Sequence, residues 1–194
     1  MTSDGNLADY LDSLHRIGSD VVVSDSSGNQ IDNDQAISQT IQLMHSVRDA
    51  SRKIVFIGNG GSAAIASHMA IDYSKNGRLP ALAMNDGAAL TCLGNDLGYE
   101  NVFSEQIKLH CNKGDLLVAI SSSGSSTNII QAVTEGHIQG CHVITLSGFS
   151  PDNPLRQQGS FNWYIASSEY GFVEIAHLTL CHAILDIEMG WFRS

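Results

Sequence analysis

Two short loops of the sequence carry residue types that bind a phosphate group. Residues 58–62, with the sequence GNGGS, join a strand-like run to a small-residue helix, and their glycines allow close approach of the backbone. Residues 120–128, with the sequence ISSSGSSTN, set several hydroxyls beside the free N–H groups at the start of another helix, where the helix dipole favours an anion. A serine-rich turn with an ordinary helix cap is the alternative for this second loop.

The glycine loop does not have the pattern of a nucleotide site. Its glycines at positions 58, 60 and 61 lack GxGxxG spacing, and no Gly-Lys-Ser/Thr of a Walker A loop is present. Taken alone the loop is a weak signal. In combination with the serine loop about 60 residues later, it predicts a phosphate-binding cleft at the carboxyl ends of parallel strands.

His68 and Asp72 follow the glycine loop on the same predicted helix. They are four residues apart, so both side chains point to one face. An imidazole and a carboxylate on one face suit proton transfer or metal binding. The alternative for His68 alone is an ordinary helix histidine, because single histidines are poor evidence of function.

The elements that must position these groups alternate between strands and helices from Lys53 onward. This alternation predicts an α/β fold, a three-layer α/β/α sandwich with a parallel sheet. The predicted strands are KIVFIG, PALAM, DLLVAIS, CHVITLS and NWYIAS, and the predicted helices span residues 62–73, 87–93, 102–109, 126–139 and 172–189.

Two amphipathic helices are predicted before the first strand of this core. Apolar residues keep helical spacing over residues 7–17 and 37–47, and the segment between them, SDSSGNQIDND, is predicted to be a loop. These helices pack either on their own domain or against another subunit. We expect one domain over residues 1–194, with a helical region at about 1–50 and the sheet-containing core at about 51–194.

Composition excludes several classes of function. The chain has 194 residues, a formal net charge of −10 and no Lys/Arg-rich patch, so binding to a nucleic-acid backbone is not expected. Its apolar runs are too short to span a membrane, and the first residues lack the pattern of a secretion signal, so we expect a cytoplasmic location. The four cysteines have no CxxC spacing and are expected to be reduced, inert, buried thiols.

The two loops, together with GND at 94–96, resemble the sugar isomerase (SIS) domain. Within that superfamily the chain is similar to the sedoheptulose-7-phosphate isomerases, also called phosphoheptose isomerases. The resemblance covers about residues 37–191, and the segment GNDLGYENVFSEQI at 94–107 is especially close. It implies a five-stranded parallel sheet flanked by helices, and a homotetramer with sites at subunit interfaces.

The resemblance also implies a set of substrate-binding residues. One group matches the phosphate-binding hydroxyl loop, a second the sugar-contacting glycine loop, and a third a polar pair for which a simple capping turn is the alternative. These residues are, in that order, Ser121, Ser122, Ser123 and Ser126; Asn59, Gly60, Gly61 and Ser62; and Asn95 and Asp96.

Four further positions match those that bind zinc and transfer protons in the phosphoheptose isomerases, where the pattern is His, Glu, Gln, His. Here the residues are His68, Asp72, Glu174 and His182. The resemblance therefore implies one Zn²⁺ per subunit on these four ligands, and two histidines with two carboxylates suit that ion. It also implies catalytic roles for Asp72, Glu174 and His182, with Glu174 contacting the substrate as well.

The chain departs from the family pattern at several of these places. Asp72 is one methylene shorter than the family's glutamate, and Glu174 adds a negative charge where the family has glutamine. The family has an arginine shortly after its catalytic glutamate, but here that place is occupied by the sequence YSKNGR around Asn76, in which Lys75 and Arg78 are the candidates for a shifted cation. A second arginine of the family, on the last helix, is replaced by Phe172.

The expected function is an aldose–ketose isomerase, an intramolecular oxidoreductase, that converts sedoheptulose 7-phosphate to a D-glycero-D-manno-heptose 7-phosphate through an enediol(ate), a step of heptose biosynthesis. In this scheme Asp72 or Glu174 is the base, His182 the acid and His68 a metal ligand. Two alternatives are an isomerase of another phosphosugar and a non-catalytic protein that binds a phosphosugar or a protein partner, like the DnaA initiator-associating protein. Retention of all four polar positions favours an enzyme.

Overall fold

Five parallel strands form the centre of the structure, a computed structural model that describes residues 5–191. The outermost residues of the predicted domain, 1–4 and 192–194, lie outside the described part of the chain. The parallel strands are β3 (Ile54–Gly58), β4 (Ala81–Ala83), β5 (Leu116–Ser121), β6 (His142–Ser147) and β7 (Phe161–Tyr164), and two antiparallel strands, β1 (Val22–Ser24) and β2 (Gln30–Ile31), extend the sheet in the order β2-β1-β7-β6-β5-β3-β4.

Helices cover both faces of the sheet, which confirms the three-layer sandwich. The five expected parallel strands are present, but the sheet has seven strands and not five, because β1 and β2 extend it. The described helices are α1 (Leu7–Ser19), α2 (Asn33–Asp49), α3 (Gly61–Lys75), α4 (Gly87–Leu97), α5 (Ser104–His110), α6 (Thr127–Ile138) and α7 (Tyr170–Met189), with short 3₁₀ turns at Tyr99–Asn101 and Pro154–Gln157. One face of the sheet packs with α2, α3 and α7, and the other packs with α5 and α6.

The alternation of side chains along β3 shows why these strands have continuous apolar sequences. Ile54 and Phe56 pack into the cluster on one face, and Val55 and Ile57 pack into the cluster on the other. A parallel strand covered by helices on both faces has no solvent side, so every position is apolar. The strands were predictable from sequence for this reason.

The segment between the first two helices is not a simple loop, so that prediction is wrong. It forms the hairpin of β1 and β2, and β1 pairs antiparallel with β7. Asp25 closes the turn by accepting hydrogen bonds from the N–H groups of Ser27 and Asn29. Strands of three and two residues are too short for a hydrophobic period to mark them.

The two N-terminal helices differ in how they pack. α2 buries Ala36, Thr40, Met44 and Val47 against the sheet, whereas α1 buries no residue. Tyr10 of α1 stacks on a ring of α7, but Leu7 and Leu11 stay exposed. The interpretation of packing on the same domain therefore holds for α2, and α1 keeps an uncovered apolar face.

Three of the four cysteines are buried free thiols, as expected. Cys92 on α4 is exposed, so the expectation of a buried thiol is wrong at that position. None of the described helices combines the length and apolar character that a membrane crossing requires.

Candidate active site

The glycine loop and the serine loop meet at one edge of the sheet. β3 and β5 are neighbouring parallel strands with Gly58 opposite Ile120, so the loops that leave their carboxyl ends lie side by side. Between them is a cavity of about 230 Å³, which we call the loop cavity. Its lining residues are Asn59, Gly60, Gly61, Ser62, Ile120, Ser121, Ser122, Ser123, Ser126, Tyr170 and Glu174.

Hydroxyl groups of the serine loop have hydrogen-bonding capacity left for a ligand. Ser121 Oγ donates to Ser126 Oγ at 3.3 Å and accepts the Gly124 N–H at 3.2 Å. Ser122 is 5% exposed, and its Oγ has no hydrogen-bond partner among the described residues. Because a buried hydroxyl without a partner is costly, this atom indicates that a polar ligand completes the loop.

Two helices begin at the loop cavity. α3 has Gly60 as its N-cap residue, with φ of 53° and no side-chain capping bond. α6 has Ser126 as its N-cap residue, and again no side chain caps the helix. Each helix therefore presents free N–H groups and the positive end of its dipole to the cavity, which is the usual local chemistry of a phosphate site.

Glu174 brings a carboxylate into the same cavity. Its carboxyl group lies directly over Gly61, where a β-carbon would overlap the carboxylate oxygens and push the carboxylate aside. None of the described residues that line the cavity is Lys, Arg or His. An anion bound here would be held by hydroxyls, backbone N–H groups and helix dipoles.

The residues considered as replacements for the family's arginines lie elsewhere. Phe172 stacks on Tyr10 with ring centroids 4.6 Å apart and does not line the cavity. Asn76 is the C-cap residue of α3, beside Lys75 and near Arg78, at the end of the helix remote from Gly61. Lys75 is fourteen positions after Gly61 on α3, which corresponds to ~21 Å of helix rise.

A second polar cluster lies further along α3 and α7. Ligand atoms of His68, Asp72 and His182 all lie within 4.8 Å of one another. His68 Nε2 is 3.5 Å from Asp72 Oδ2, and the two imidazole rings have centroids 5.3 Å apart. Two imidazoles and a carboxylate form a donor set suited to a divalent transition metal, and Zn²⁺ in particular.

Glu174 does not join this cluster in the single chain. It lines the loop cavity, eight residues before His182 on the same helix, which corresponds to ~12 Å of helix rise. Three of the four expected metal ligands are therefore together, and the fourth lies with the serine loop.

Asn95 and Asp96 are not among the residues that line the loop cavity. They occupy the last turn of α4, where both are exposed and Asn95 Nδ2 donates to Asp96 Oδ1 at 2.8 Å. They are thus part of a helix and not a turn.

Three residues near the cavity are not among the expected site residues. Tyr170, for which its place near Glu174 in the sequence favoured helix surface or core packing, lines the cavity and packs edge-on against Phe149, whose φ is 58°. Asn128 and Tyr99 both hydrogen-bond to Asn59. Asn128 was signalled by its place in the first turn of α6, directly after the serine loop, whereas Tyr99 had no local signal.

Comparison with known proteins finds related sequences and structures. The SIS domain family matches residues 22–148. Phosphoheptose isomerase from Campylobacter concisus is 35% identical over 159 residues, covering 79% of this chain and 84% of the relative. Phosphoheptose isomerase from Nitratiruptor is 46% identical over 142 residues, covering 70% and 75%. The solved structure of phosphoheptose isomerase GmhA from Neisseria gonorrhoeae has a TM-score of 0.78 and 31% identity, covering 94% of this chain and 97% of that one.

Proposed function

This chain belongs to the SIS domain family and, within it, to the phosphoheptose isomerases, and we propose that it converts sedoheptulose 7-phosphate to a D-glycero-D-manno-heptose 7-phosphate. The single observation that carries the proposal is the loop cavity, in which an unpaired buried serine hydroxyl and two helix N-termini lie beside one carboxylate. The phosphate would bind at the first two features, and the carboxylate would act on the sugar.

We assign the phosphate to Ser121, Ser122, Ser123 and Ser126, and the sugar to the glycine loop, Asn59, Gly60, Gly61 and Ser62. Support for this division is that all eight line one cavity. The fixed grip on the phosphate would supply binding energy that orients the reacting end of the sugar. We retain Asn95 and Asp96 as sugar contacts contributed within an oligomer, since both are exposed.

We propose Zn²⁺, one per subunit, as the metal, with His68, Asp72 and His182 as its ligands within the single chain. Support comes from the donor set and from the convergence of the three side chains. Glu174 would be the fourth ligand only if a bound substrate or a second subunit brought it closer. When bound, the ion would act as a Lewis acid that polarises the sugar's oxygens.

The proposed reaction moves one proton between C1 and C2 of the sugar. A carboxylate base removes the proton from the carbon next to the carbonyl, the electron pair forms an enediolate, and the base returns a proton, either the original one or one exchanged with solvent, to the neighbouring carbon. Of the two candidate bases, Glu174 lines the loop cavity whereas Asp72 lies 3.5 Å from His68, and this favours Glu174 as base and Asp72 as ligand. His182 is assigned as the acid that exchanges protons with the sugar oxygens, through the ring nitrogen that would not bind the ion.

The test is isomerisation by the purified protein supplied with Zn²⁺. Sedoheptulose 7-phosphate in deuterium oxide should yield the heptose phosphate, and part of the sugar should acquire deuterium from solvent at C1 or C2. A protein that binds zinc and phosphate but neither converts the sugar nor exchanges its proton would disprove the proposal.

A different phosphosugar is the second candidate substrate. The observation that favours it is the lack of a cation among the described residues lining the loop cavity, with Phe172 turned towards Tyr10 at one expected arginine position. Rates on a panel of C5, C6 and C7 sugar phosphates would separate the two candidates. A non-catalytic binding role would be indicated by protein purified without chelator that contains no zinc and isomerises none of the panel.

The oligomer and its location are also part of the proposal. We propose a homotetramer, since His68 and Ile71 are exposed on α3 and α1 buries no residue. We propose that it works in the cytoplasm, in keeping with its similarity to phosphoheptose isomerases.

A further inference from the structure

Hydrogen bonds from two distant segments hold the side chain of Asn59 in place. Asn59 Nδ2 donates to Asn128 Oδ1, and Asn128 Nδ2 donates to Asn59 Oδ1, both at 2.9 Å. Tyr99 Oη donates to the same Asn59 Oδ1 at 3.0 Å. Because an amide oxygen accepts two hydrogen bonds and its nitrogen donates two, Asn59 Oδ1 is saturated, and one N–H of Nδ2 has no acceptor within residues 5–191.

Asn59 lies at the edge of the loop cavity, where its free N–H can donate to a bound ligand. Asn59 follows β3 and lines the loop cavity, and it also lines a neighbouring open hollow together with Tyr99 and Asn128. Asn128 is 3% exposed at the start of α6, so the partner that fixes Asn59 is itself rigidly placed. The saturated oxygen cannot take up another donor, so Asn59 can only donate to a ligand.

We propose that Tyr99 and Asn128 are positioning residues that hold the Asn59 carboxamide in one orientation, with its free N–H directed at a sugar oxygen of the bound phosphosugar. A free asparagine amide rotates broadly about χ2. Fixing it before binding lowers the ordering cost of the complex. This inference rests on the proposed function, because it assigns a sugar to the cavity.

Tyr99→Phe is the direct test, since it removes one hydroxyl and leaves the ring. We expect the affinity for sedoheptulose 7-phosphate, measured by calorimetry, to fall ~3- to 10-fold, the range of one neutral hydrogen bond. The affinity for inorganic phosphate should not change, because the serine loop is untouched. Tyr10→Phe, a tyrosine outside the cavity, is the matched control and should alter neither affinity.

A double-mutant cycle separates positioning from direct contact. In an Asn59→Ala background, Tyr99→Phe should cause no further loss of sugar-phosphate affinity, because its effect is transmitted through Asn59. An undiminished loss in that background would mean that Tyr99 touches the sugar itself and would overturn the proposal. No loss in the wild-type background would overturn it as well.

The role of Asn128 is tested in the same way with Asn128→Ala, provided thermal unfolding shows that the variant folds. If it does not fold, Tyr99→Phe alone decides the proposal. Failure of the proposed function is distinguishable, because it appears as wild-type protein that binds sedoheptulose 7-phosphate without converting it. The affinity ratios of the variants still test the network in that case.

Discussion

Glu174 carries the carboxylate of the loop cavity, and its surroundings set what it can do. Its carboxyl group lies over Gly61 at the positive end of α3 and beside the serine loop. Asp72, in contrast, faces His68 and His182. The two acidic departures from the family pattern thus have separate surroundings.

Glu174→Gln should therefore abolish proton transfer and leave binding intact. We expect kcat to fall ~10²- to 10⁴-fold, the usual contribution of a general base. The affinity for inorganic phosphate should be kept or rise, since a negative charge is removed. The matched control is Glu169→Gln, at the N-cap residue of α7, which does not line the cavity. Full activity of Glu174→Gln would return the role of base to Asp72.

His177 shows that a histidine close to the site in sequence can be structural. It is fully buried, and its Nε2 donates to the Ser147 carbonyl at 3.1 Å. Burial lowers the pKa of His177 to about 4 from an ordinary 6.5, and the bond to Ser147 only partly opposes this. The imidazole is therefore neutral in the folded protein at pH 7, and the unfolded chain takes up the proton first as the pH falls.

Protonation of the unfolded chain at His177 should make the protein less stable in acid. Between pH 6.5 and about 4 the unfolded state binds the extra proton, so the free energy of unfolding should fall by about 3 kcal/mol across that interval. Urea denaturation at several pH values checks this. In His177→Gln this part of the decrease in unfolding free energy should be absent. An identical pH dependence of the unfolding free energy in both proteins would contradict the role given to His177.

At the scale of elements, the serine loop depends on the conformation of Gly124. Its φ is 61°, and a β-carbon there would collide with the side chain of Asn153. Asn153 in turn donates to the Gly148 and Ser150 carbonyls, so it is not free to move aside. The loop therefore cannot accept a larger residue at this position without shifting its hydroxyls.

Gly124→Ala should weaken phosphate binding by at least ~10-fold, because the strain of a positive φ, ~1–2 kcal/mol, adds to the collision with Asn153. The chain offers a matched control in Gly28→Ala, with φ of 82° and open space around the added carbon. That variant should lose stability but keep its phosphate affinity, as calorimetry with inorganic phosphate would show. Equal affinities in the two variants would mean that the serine loop is not the phosphate site.

Elements and loops were predictable to different degrees. The five parallel strands and the helices after them follow from buried apolar runs and turn residues, which are local signals. The β1–β2 hairpin was missed because its strands are too short to show a period. The contacts of Asn59 with Tyr99 and Asn128 span 40 and 69 residues, and no spacing in the sequence encodes such a contact. The extent of the domain over residues 1–194 stays a prediction.

At the scale of the whole molecule, α1 is the element that the single chain leaves uncovered. Leu7 is 72% and Leu11 52% exposed, on the side of the molecule where an apolar groove of about 450 Å³ opens between α1, α2, β7 and α7. Exposed apolar surface of this kind is typical of an interface between subunits. We associate it with the proposed tetramer.

Light scattering coupled to gel filtration should give four times the mass of one chain for the wild-type protein. Replacing Leu7 and Leu11 together by glutamate should shift the mass to a smaller species, because two charges would be buried in the interface. Ile138→Glu, at a 70% exposed position on α6, is the control and should leave the mass unchanged. A wild-type monomer would disprove the tetramer, and an intact tetramer of the double variant would place α1 outside its interface.

The lack of cationic side chains among the described residues lining the loop cavity has a consequence for the rate of binding. A chain of formal charge −10 repels a dianionic sugar phosphate at long range, and no lysine or arginine of the cavity wall opposes that repulsion. Added salt screens repulsion between distant charges and barely affects short hydrogen bonds inside a cavity. The association rate of the sugar phosphate should therefore rise with ionic strength. In an enzyme that attracts its phosphate substrate with lysine and arginine side chains, the association rate falls with ionic strength.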